Sequence, residues 1–481
     1  MLDLRSLPRP RTHEEEIELT KPQNDELYLH SRLHKASWLR DWRQSPEPND
    51  QDFWERAIAN KALDKVLVII LSVDEDGLAL FGISDQGINH VSFQTAVNTS
   101  VMRSLVNVCL HHFTSSEGRS PWVPGFESLG LISAAVSIPL EDAIEMAEHV
   151  IFISSGDLTH FPFGRLIHRD RHLGVQKAVS QAPSLYNLLY LMACNGPNGP
   201  LGRLCAVAKP GKPSKKTRNT EEMELPMAGI ETMLIALLLG TKPRNAAEMT
   251  REDLMKDFES CDWLHLGTHG SLDADAPFHS SLSLKEKFRV IDLLAVQSTV
   301  KVVVFSACFS GLGKATNRGD NLGFSHAVLA AGANTFIGAL WHTCDLATLV
   351  HMYFFYWELL NHKDQVSVAT VWQRATYNLY HLDQQKNKGV IRMLDSFING
   401  WDAAEELGFQ PGRLVKNGRL VKNGRRKLED LKEELTLSAT EIDFKHPFFW
   451  APLIIMGNGE QYITSKQAEP ATAKEKEDET V

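Results

Sequence analysis

The sequence predicts an α/β fold: a mostly parallel sheet with helices on both of its faces. Two observations carry this. In the second half, strand-length runs at Trp263–Gly267, Val300–Phe305, Thr335–Leu340 and Pro452–Met456 recur between helical stretches at Asn321–Ala331, Asp345–Leu360 and Val366–Gln385. Those runs are apolar at consecutive rather than alternate positions, as strands buried on both faces must be.

Each element has its own warrant. Residues 1–25 are polar and carry prolines, so they read as loose chain. Residues 26–62 space Leu27, Leu29, Leu33, Trp38, Leu39, Trp42, Phe53, Trp54 and Ile58 in a way that suits short helices. Val66–Ser72, Leu78–Ile83 and Ile88–Phe93 are strand-like and divided by turn residues at Asp74–Gly77 and Asp85–Gly87. They predict a three-stranded meander. A helix is expected over Thr95–Phe113, a buried strand at Val150–Ser154 and a short strand at Leu204–Val207. The basic, Pro/Gly/Ser-rich stretch Lys209–Asn219 reads as an exposed loop.

Residues 408–440 interrupt the alternation. The hexapeptide Gly-Arg-Leu-Val-Lys-Asn at 412–417 repeats at 418–423, then Gly424, Arg425, Arg426 and Lys427 follow. This basic duplication reads as an exposed insertion, either processed by cleavage or simply solvated, with a short helix at Leu428–Leu435. The tail from Ser465 has the composition of disordered chain.

Bulk properties exclude some classes. Fifty Lys and Arg against sixty Asp and Glu give a formal charge of −10, without the basic field of a general nucleic-acid binder. At 481 residues and 43% apolar content, one large domain with appendages or two domains can bury a core. The six cysteines (Cys109, Cys194, Cys205, Cys261, Cys308, Cys344) are dispersed, with no CxxC pair. They read as reduced thiols of a cytosolic protein. The N-terminal stretch lacks the apolar core of a signal peptide, and Val66–Leu71 is far too short to span a bilayer. A cytoplasmic location with no membrane span is expected.

The chemistry is expected where two buried strands end, since ligands of open α/β sheets gather at carboxyl strand ends. Trp263–Gly267 leads into Thr268-His269-Gly270, and Val302–Phe305 leads into Ser306-Ala307-Cys308. If the strands are neighbours, His269 and Cys308 emerge side by side. A thiol with an ordinary pKa of about 8.5 needs such an imidazole to take its proton or pair with its thiolate. The Gly270 and Cys308 N–H groups could then serve an oxyanion. Taken singly, a cysteine at a strand end is usually packing, and a lone histidine is usually structural.

Other chemistries fit less well. Gly311-Leu312-Gly313-Lys314-Ala315-Thr316 resembles a phosphate loop, yet Cys308 and Ala315 stand where the pattern requires Gly and Ser/Thr. No HExxH or G-x-S-x-G occurs, and His342 with Cys344 does not nominate a four-ligand zinc site. No cofactor or metal is expected.

Ordered blocks along the chain resemble the CHAT domain family, caspase-like cysteine peptidases related to separase. They comprise Ile153-Ser154-Ser155-Gly156-Asp157-Leu158 with Phe161-Pro162-Phe163-Gly164-Arg165-Leu166, then Ala182–Leu185, then Leu225-Pro226 with Ala228 and Glu231. Leu264–Gly270 follows, with Ser280-Ser281-Leu282, then Phe305–Gly311 and Gly319-Asp320-Asn321-Leu322-Gly323. Ala330–Ala333, Leu340-Trp341 with Asp345, and His446–Pro452 with Gly457–Gly459 complete the set. The resemblance implies a caspase-like, mostly parallel sheet flanked by helices. It also implies an N-terminal extension over 1–62, a pseudo-caspase-like half over 63–200, a catalytic half over 201–462 and a tail over 463–481. The first half has no matching dyad: His160 lies past its strand end, and Cys194 and Cys205 lack a glycine motif.

Residue by residue, the resemblance implies Cys308 as nucleophile, His269 as general base and an acyl-enzyme intermediate with protein as substrate. Relatives that cleave after basic residues carry acidic groups in the first specificity pocket. Here the position two before the nucleophile is Ser306, and Asp320 and Asp345 are the acidic candidates, with a turn residue and a helix N-cap as their alternative roles. Trp341 and Trp450 read as packing, and Glu231 as a helix brace. No 34-residue repeat precedes the peptidase, so a separate regulatory protein or proteolytic control is expected. The implied biology is regulated proteolysis in defence or programmed cell death, with membrane-pore precursors among the target types. The competing function is a latent or inactive caspase-fold adaptor that acts by binding.

Overall fold

The computed structural model describes residues 63–114, 127–154, 156–193, 199–200, 202–208, 226–239, 241, 243–315, 321–362, 365–382, 444–460 and 462–464. The expected features at 1–62, Lys209–Asn219, 408–440 and the tail from Ser465 lie outside them, as do Cys194 and Asp320.

Among the described residues, eleven strands form one sheet. In chain order they are β1 (Val66–Val73), β2 (Leu78–Ser84), β3 (Gly87–Gln94), β4 (His149–Ser154), β5 (Ala178–Gln181) and β6 (Leu204–Ala208). They continue with β7 (Arg244–Asn245), β8 (Trp263–Gly267), β9 (Val302–Ser306), β10 (Thr335–Ala339) and β11 (Leu453–Gly457). Their spatial order is β7-β6-β8-β9-β10-β11-β5-β4-β1-β2-β3. Strands β6 to β10 pair in parallel, as do β1, β4 and β5. β11 runs antiparallel to β10, and β1 to β3 form the expected antiparallel meander. The fold is therefore α/β with a mixed, mostly parallel sheet flanked by helices, as the sequence predicts.

Consecutive apolar residues follow from burial on both faces. In β1, Leu67, Ile69 and Leu71 pack with Met102 and Val106 of helix α1 (Thr99–Thr114) and Leu129 and Val136 of α2 (Glu127–Ser137). Val66 and Val68 turn to the other side, beside Ile151, Ile153 and Leu188. In β9, Val303 and Phe305 join one layer with Leu264, Leu266 and Phe336. Val302 and Val304 join the other, with Met352 and Phe355 of α3 (Asp345–Asn361) and Ala375 of α4 (Val368–Tyr380). Full burial of each such side chain is worth about 1.5–3 kcal/mol, so these strands anchor the sheet.

Three expectations need correction. Asn321–Ala331 is not one helix: Asn321–Gly323 pairs antiparallel with Gly313–Ala315, and the helix covers only Phe324–Ala330. The Gly313–Ala315 arm is thus a hairpin strand and not the start of a phosphate-loop helix. The helix expected over Val366–Gln385 is a two-residue strand, Val366–Ser367, followed by α4. Ser367 caps α4, its Oγ accepting the Thr370 N–H at 3.2 Å.

The third concerns the thiols. Cys205 and Cys261, read as separate reduced cysteines, are joined by a disulfide. Distance along the chain concealed the pairing. The parallel register of β6 and β8 sets Leu204 beside Trp263, which brings Cys261, two residues before β8, within bonding reach of Cys205. Among the described residues, no helix is long and apolar enough to cross a membrane.

Candidate active site

The parallel register of β8 and β9 builds the site. Gly267 lies opposite Ser306, and the Thr268 N–H donates to the Ser306 carbonyl at 3.3 Å. His269 and Cys308 each stand two residues beyond that matched pair, so both leave the sheet at one edge, from adjacent strands. Both are partly exposed, whereas Thr268 and Ala307 between them and the strands are buried.

Past His269 the chain turns back in a small sheet. Gly270 pairs with Leu282, the Ser283 N–H donates to the His269 carbonyl at 2.9 Å, and Thr268 Oγ1 donates to the Ser283 carbonyl at 2.6 Å. The histidine backbone is therefore held on both sides. Gly270 is required sterically. A Cβ there would overlap the Cys308 carbonyl oxygen.

The cysteine loop is braced from β10. Ser310 Oγ donates to the Phe305 carbonyl and accepts the Ala339 N–H, each at 3.0 Å, and the Gly311 N–H donates to the Ala339 carbonyl at 2.8 Å. Phe309, directly after the cysteine, takes a left-handed conformation at φ 58°. Such strain in a bulky residue costs of order 1–3 kcal/mol and is sustained where surrounding bonds fix the turn. The Phe309 ring packs edge-on against His342 at 4.5 Å, and Cys308 Sγ lies 3.8 Å from Thr343 Oγ1. The loop after β10 thus borders the thiol. Thr343 and His342 were not singled out for this role by sequence, because their proximity arises from β10 lying beside β9.

Asn321 supports the loop from the other side. It is 1% exposed, and its Nδ2 donates to the Gly311 carbonyl at 3.0 Å and to Ser325 Oγ at 3.1 Å. Its Oδ1 accepts from His160 Nε2 at 2.9 Å. Burial lowers the His160 pKa, opposed by that hydrogen bond.

The specificity candidates separate. Ser306 ends β9 and is buried. Asp345 is the first residue of α3 and not its N-cap, a place held by Cys344. Glu231 does brace the core as expected. Its Oε1 accepts from His265 Nε2 at 2.9 Å, and His265 Nδ1 accepts the Tyr356 hydroxyl at 3.2 Å. Burial, then the Glu231 carboxylate, raises the Tyr356 pKa well above its usual value. Trp450 and Trp341 serve packing: Trp450 stacks on the buried Arg165 guanidinium at 4.9 Å, and Trp341 meets Phe113 at 6.2 Å.

Among the described residues, Cys205, Asp257 and Cys261 have donor atoms close enough to share an ion. The two sulfurs are bonded to each other and Asp257 holds Arg244 at 2.5 Å, so this set does not fit a metal.

A family model described as the CHAT domain matches residues 128–458, more than half of the chain. No curated protein sequence matches. Among solved structures, the chain is similar to separase in the separase–securin complex of Saccharomyces cerevisiae. Identity is 10%, the TM-score is 0.49, and 76% of this chain and 33% of that one are covered. The chain thus spans about a third of that separase's length. It is also similar to the complex of Porphyromonas gingivalis RgpB pro- and mature domains, at 10% identity, TM-score 0.39, and coverage of 76% and 77%. The Arg-specific cysteine proteinase gingipain R matches at 10% identity, TM-score 0.38, and coverage of 76% and 75%.

Proposed function

Given that the chain belongs to the CHAT domain family, we propose that it is a cysteine endopeptidase acting through Cys308 and His269. The observation that carries this reading is the β8–β9 register, which delivers both residues to one sheet edge at equal distance from the matched pair Gly267–Ser306. In this reading residues 63–200 form a pseudo-caspase-like half and 201–462 the catalytic half.

The chemistry follows from the groups present. His269 removes the Cys308 Sγ proton, and the thiolate attacks the carbonyl carbon of a peptide bond. The Gly270 and Cys308 N–H groups receive the resulting oxyanion. The C–N bond then breaks as the imidazolium passes its proton to the departing amine, leaving a thioester on Cys308. Water, deprotonated by His269, attacks the thioester and releases the carboxylic acid product. In the resting molecule the thiol contacts Thr343 Oγ1, a contact the incoming substrate replaces.

Specificity for a basic residue before the scissile bond rests on Asp320 and Asp345, with Ser306 neutral beneath the nucleophile. The substrate is a protein, with a pore-forming precursor among the expected types, and a separate regulatory protein controls the site in the cytoplasm. The processes served are defence or programmed cell death. The Cys308–Thr343 contact also favours a second reading, a latent peptidase or inactive adaptor whose thiol is engaged at rest. Peptide acyloxymethyl ketones alkylate an activated catalytic thiolate and separate the two. Labelling of wild type but not of Cys308→Ala or His269→Ala supports the peptidase, and no labelling even in lysate supports the adaptor. Equal cleavage of Arg and Leu peptides would end the basic preference.

A further inference from the structure

We infer that His160 and Asn321 form a positioning relay through which the first half of the fold holds the Cys308 loop in place. The functional consequence rests on the peptidase reading, whereas the relay itself does not. The relay links His160, from the sequence block 153–166, to Asn321, from the block 319–323.

The hydrogen bonds fix its direction. Asn321 spends its Nδ2 on the Gly311 carbonyl and Ser325 Oγ, so Oδ1 faces His160 as an acceptor. His160 Nε2 must therefore carry the proton and donate. An acceptor-only group at either end would break the chain. The relay is also sterically specified, because a Cβ on residue 313 would overlap Asn321 Oδ1.

Both ends are anchored. His160 closes a 3-10 turn, Gly156–His160, directly after β4. Ser154 Oγ donates to the Leu158 carbonyl at 3.2 Å, and Gln181 Nε2 of β5 donates to the Phe161 carbonyl at 2.7 Å, fixing the chain on each side of His160. At the other end, Gly311 lies three residues after Cys308. Its N–H is tied to β10 and its carbonyl to Asn321, so its peptide units are held from two directions. Releasing the carbonyl leaves the strained turn at Phe309 without its tie to the first half of the fold, held only by the Ser310 and Gly311 bonds to β9 and β10 and by the turn's own backbone bonds. A misplacement of about 1 Å at a nucleophile is enough to cost about 100-fold in rate.

The test uses the full chain and reads the loop in two ways. Amide hydrogen exchange is followed over residues 307–313 in wild type, His160→Ala and His160→Gln, the last keeping a donor near the Nε2 position. The relay predicts exchange faster by about fivefold or more in His160→Ala, recovery in His160→Gln, and no change over 263–267 and 302–306. The second readout is probe alkylation of Cys308. The limiting rate constant falls about tenfold in His160→Ala, the half-saturating probe concentration is unchanged, and Gln rescues. If His160→Ala does not fold, Asn321→Asp is measured instead, since it keeps the size but turns the Gly311 donor into an acceptor. Unchanged exchange, a rise spread over the whole sheet, or failure of Gln to rescue overturns the relay. A wild type that never labels but shows the local exchange effect sinks the peptidase reading and keeps the relay.

Discussion

The Cys308 carbonyl oxygen occupies the space in which a side chain on residue 270 would begin. His269 and Cys308 are thereby locked to each other through main chain, because Gly270 can approach the cysteine only while it has no Cβ. Gly270→Ala must push the two strand ends apart. Under the proposed peptidase reading, the expected outcome is a folded protein whose Cys308 labelling by peptide acyloxymethyl ketones slows by about 100-fold as the two residues are pushed out of alignment. Stopped labelling assays with matched melting curves check it; a wild-type rate would mean the glycine has no part in the site.

The Cys205–Cys261 disulfide closes a loop with a sequence separation of 56. The chain-entropy model assigns such a loop about 4 kcal/mol of stabilisation. Cys205→Ala, or reduction under native conditions, is therefore expected to lower the unfolding free energy by an amount near that figure and to shift the denaturant midpoint down with it. Denaturant titration with and without a dithiol reductant measures it. Identical midpoints in the two conditions would show that the bond contributes nothing.

Two buried histidines set an acid limit on stability. Burial pushes the His351 pKa down to about 3, and burial with the adjacent Arg165 charge pushes His172 down to about 2. Because both folded values lie below the unfolded value of about 6.5, their contribution is complete above pH 6.5 and is lost as pH falls below it. Each histidine costs about 1.4 kcal/mol per pH unit in that window. Unfolding free energies at pH 7.5, 6.5 and 5.5 should be flat over the first interval and fall over the second. His351→Phe, which cannot titrate, should make the fall shallower by about one proton's worth. A flat profile to pH 5.5 would contradict the assignment.

The Glu231–His265–Tyr356 chain is a structural brace between the layers of the fold. His265 is fully buried and both ring nitrogens are committed. Glu231→Ala leaves the imidazole N–H without its acceptor and should destabilise the protein by about 2 kcal/mol or more. Glu231→Gln retains an acceptor and should cost less. Melting curves decide it, and equal loss in the two variants would argue against the hydrogen bond as the cause.

The sheet was legible because double-sided burial writes itself as consecutive apolar residues, as in Val302–Phe305. Its strand ends pointed to His269 and Cys308 for the same reason. Contacts made across the sheet were not legible. Cys205 and Cys261 meet only through the β6–β8 register, and Thr343 reaches Cys308 only because β10 follows β9. Asn321 read as helix, since Asn-Leu-Gly-Phe leads into a helical pattern. The hairpin to Gly313–Ala315 overrides that local preference. His160 carried no signal beyond its place after a strand, because its partner lies 161 residues away.

The most direct test of the central claim is covalent labelling of the purified chain by acyloxymethyl ketones bearing Arg, Lys, Asp or Leu next to the reactive group. Wild type, Cys308→Ala and His269→Ala are run in parallel, and the modified residue is located by mass spectrometry. The account predicts labelling of Cys308 in wild type alone, with Arg or Lys probes preferred. Undiminished labelling of His269→Ala, or modification at a different cysteine, would contradict the dyad.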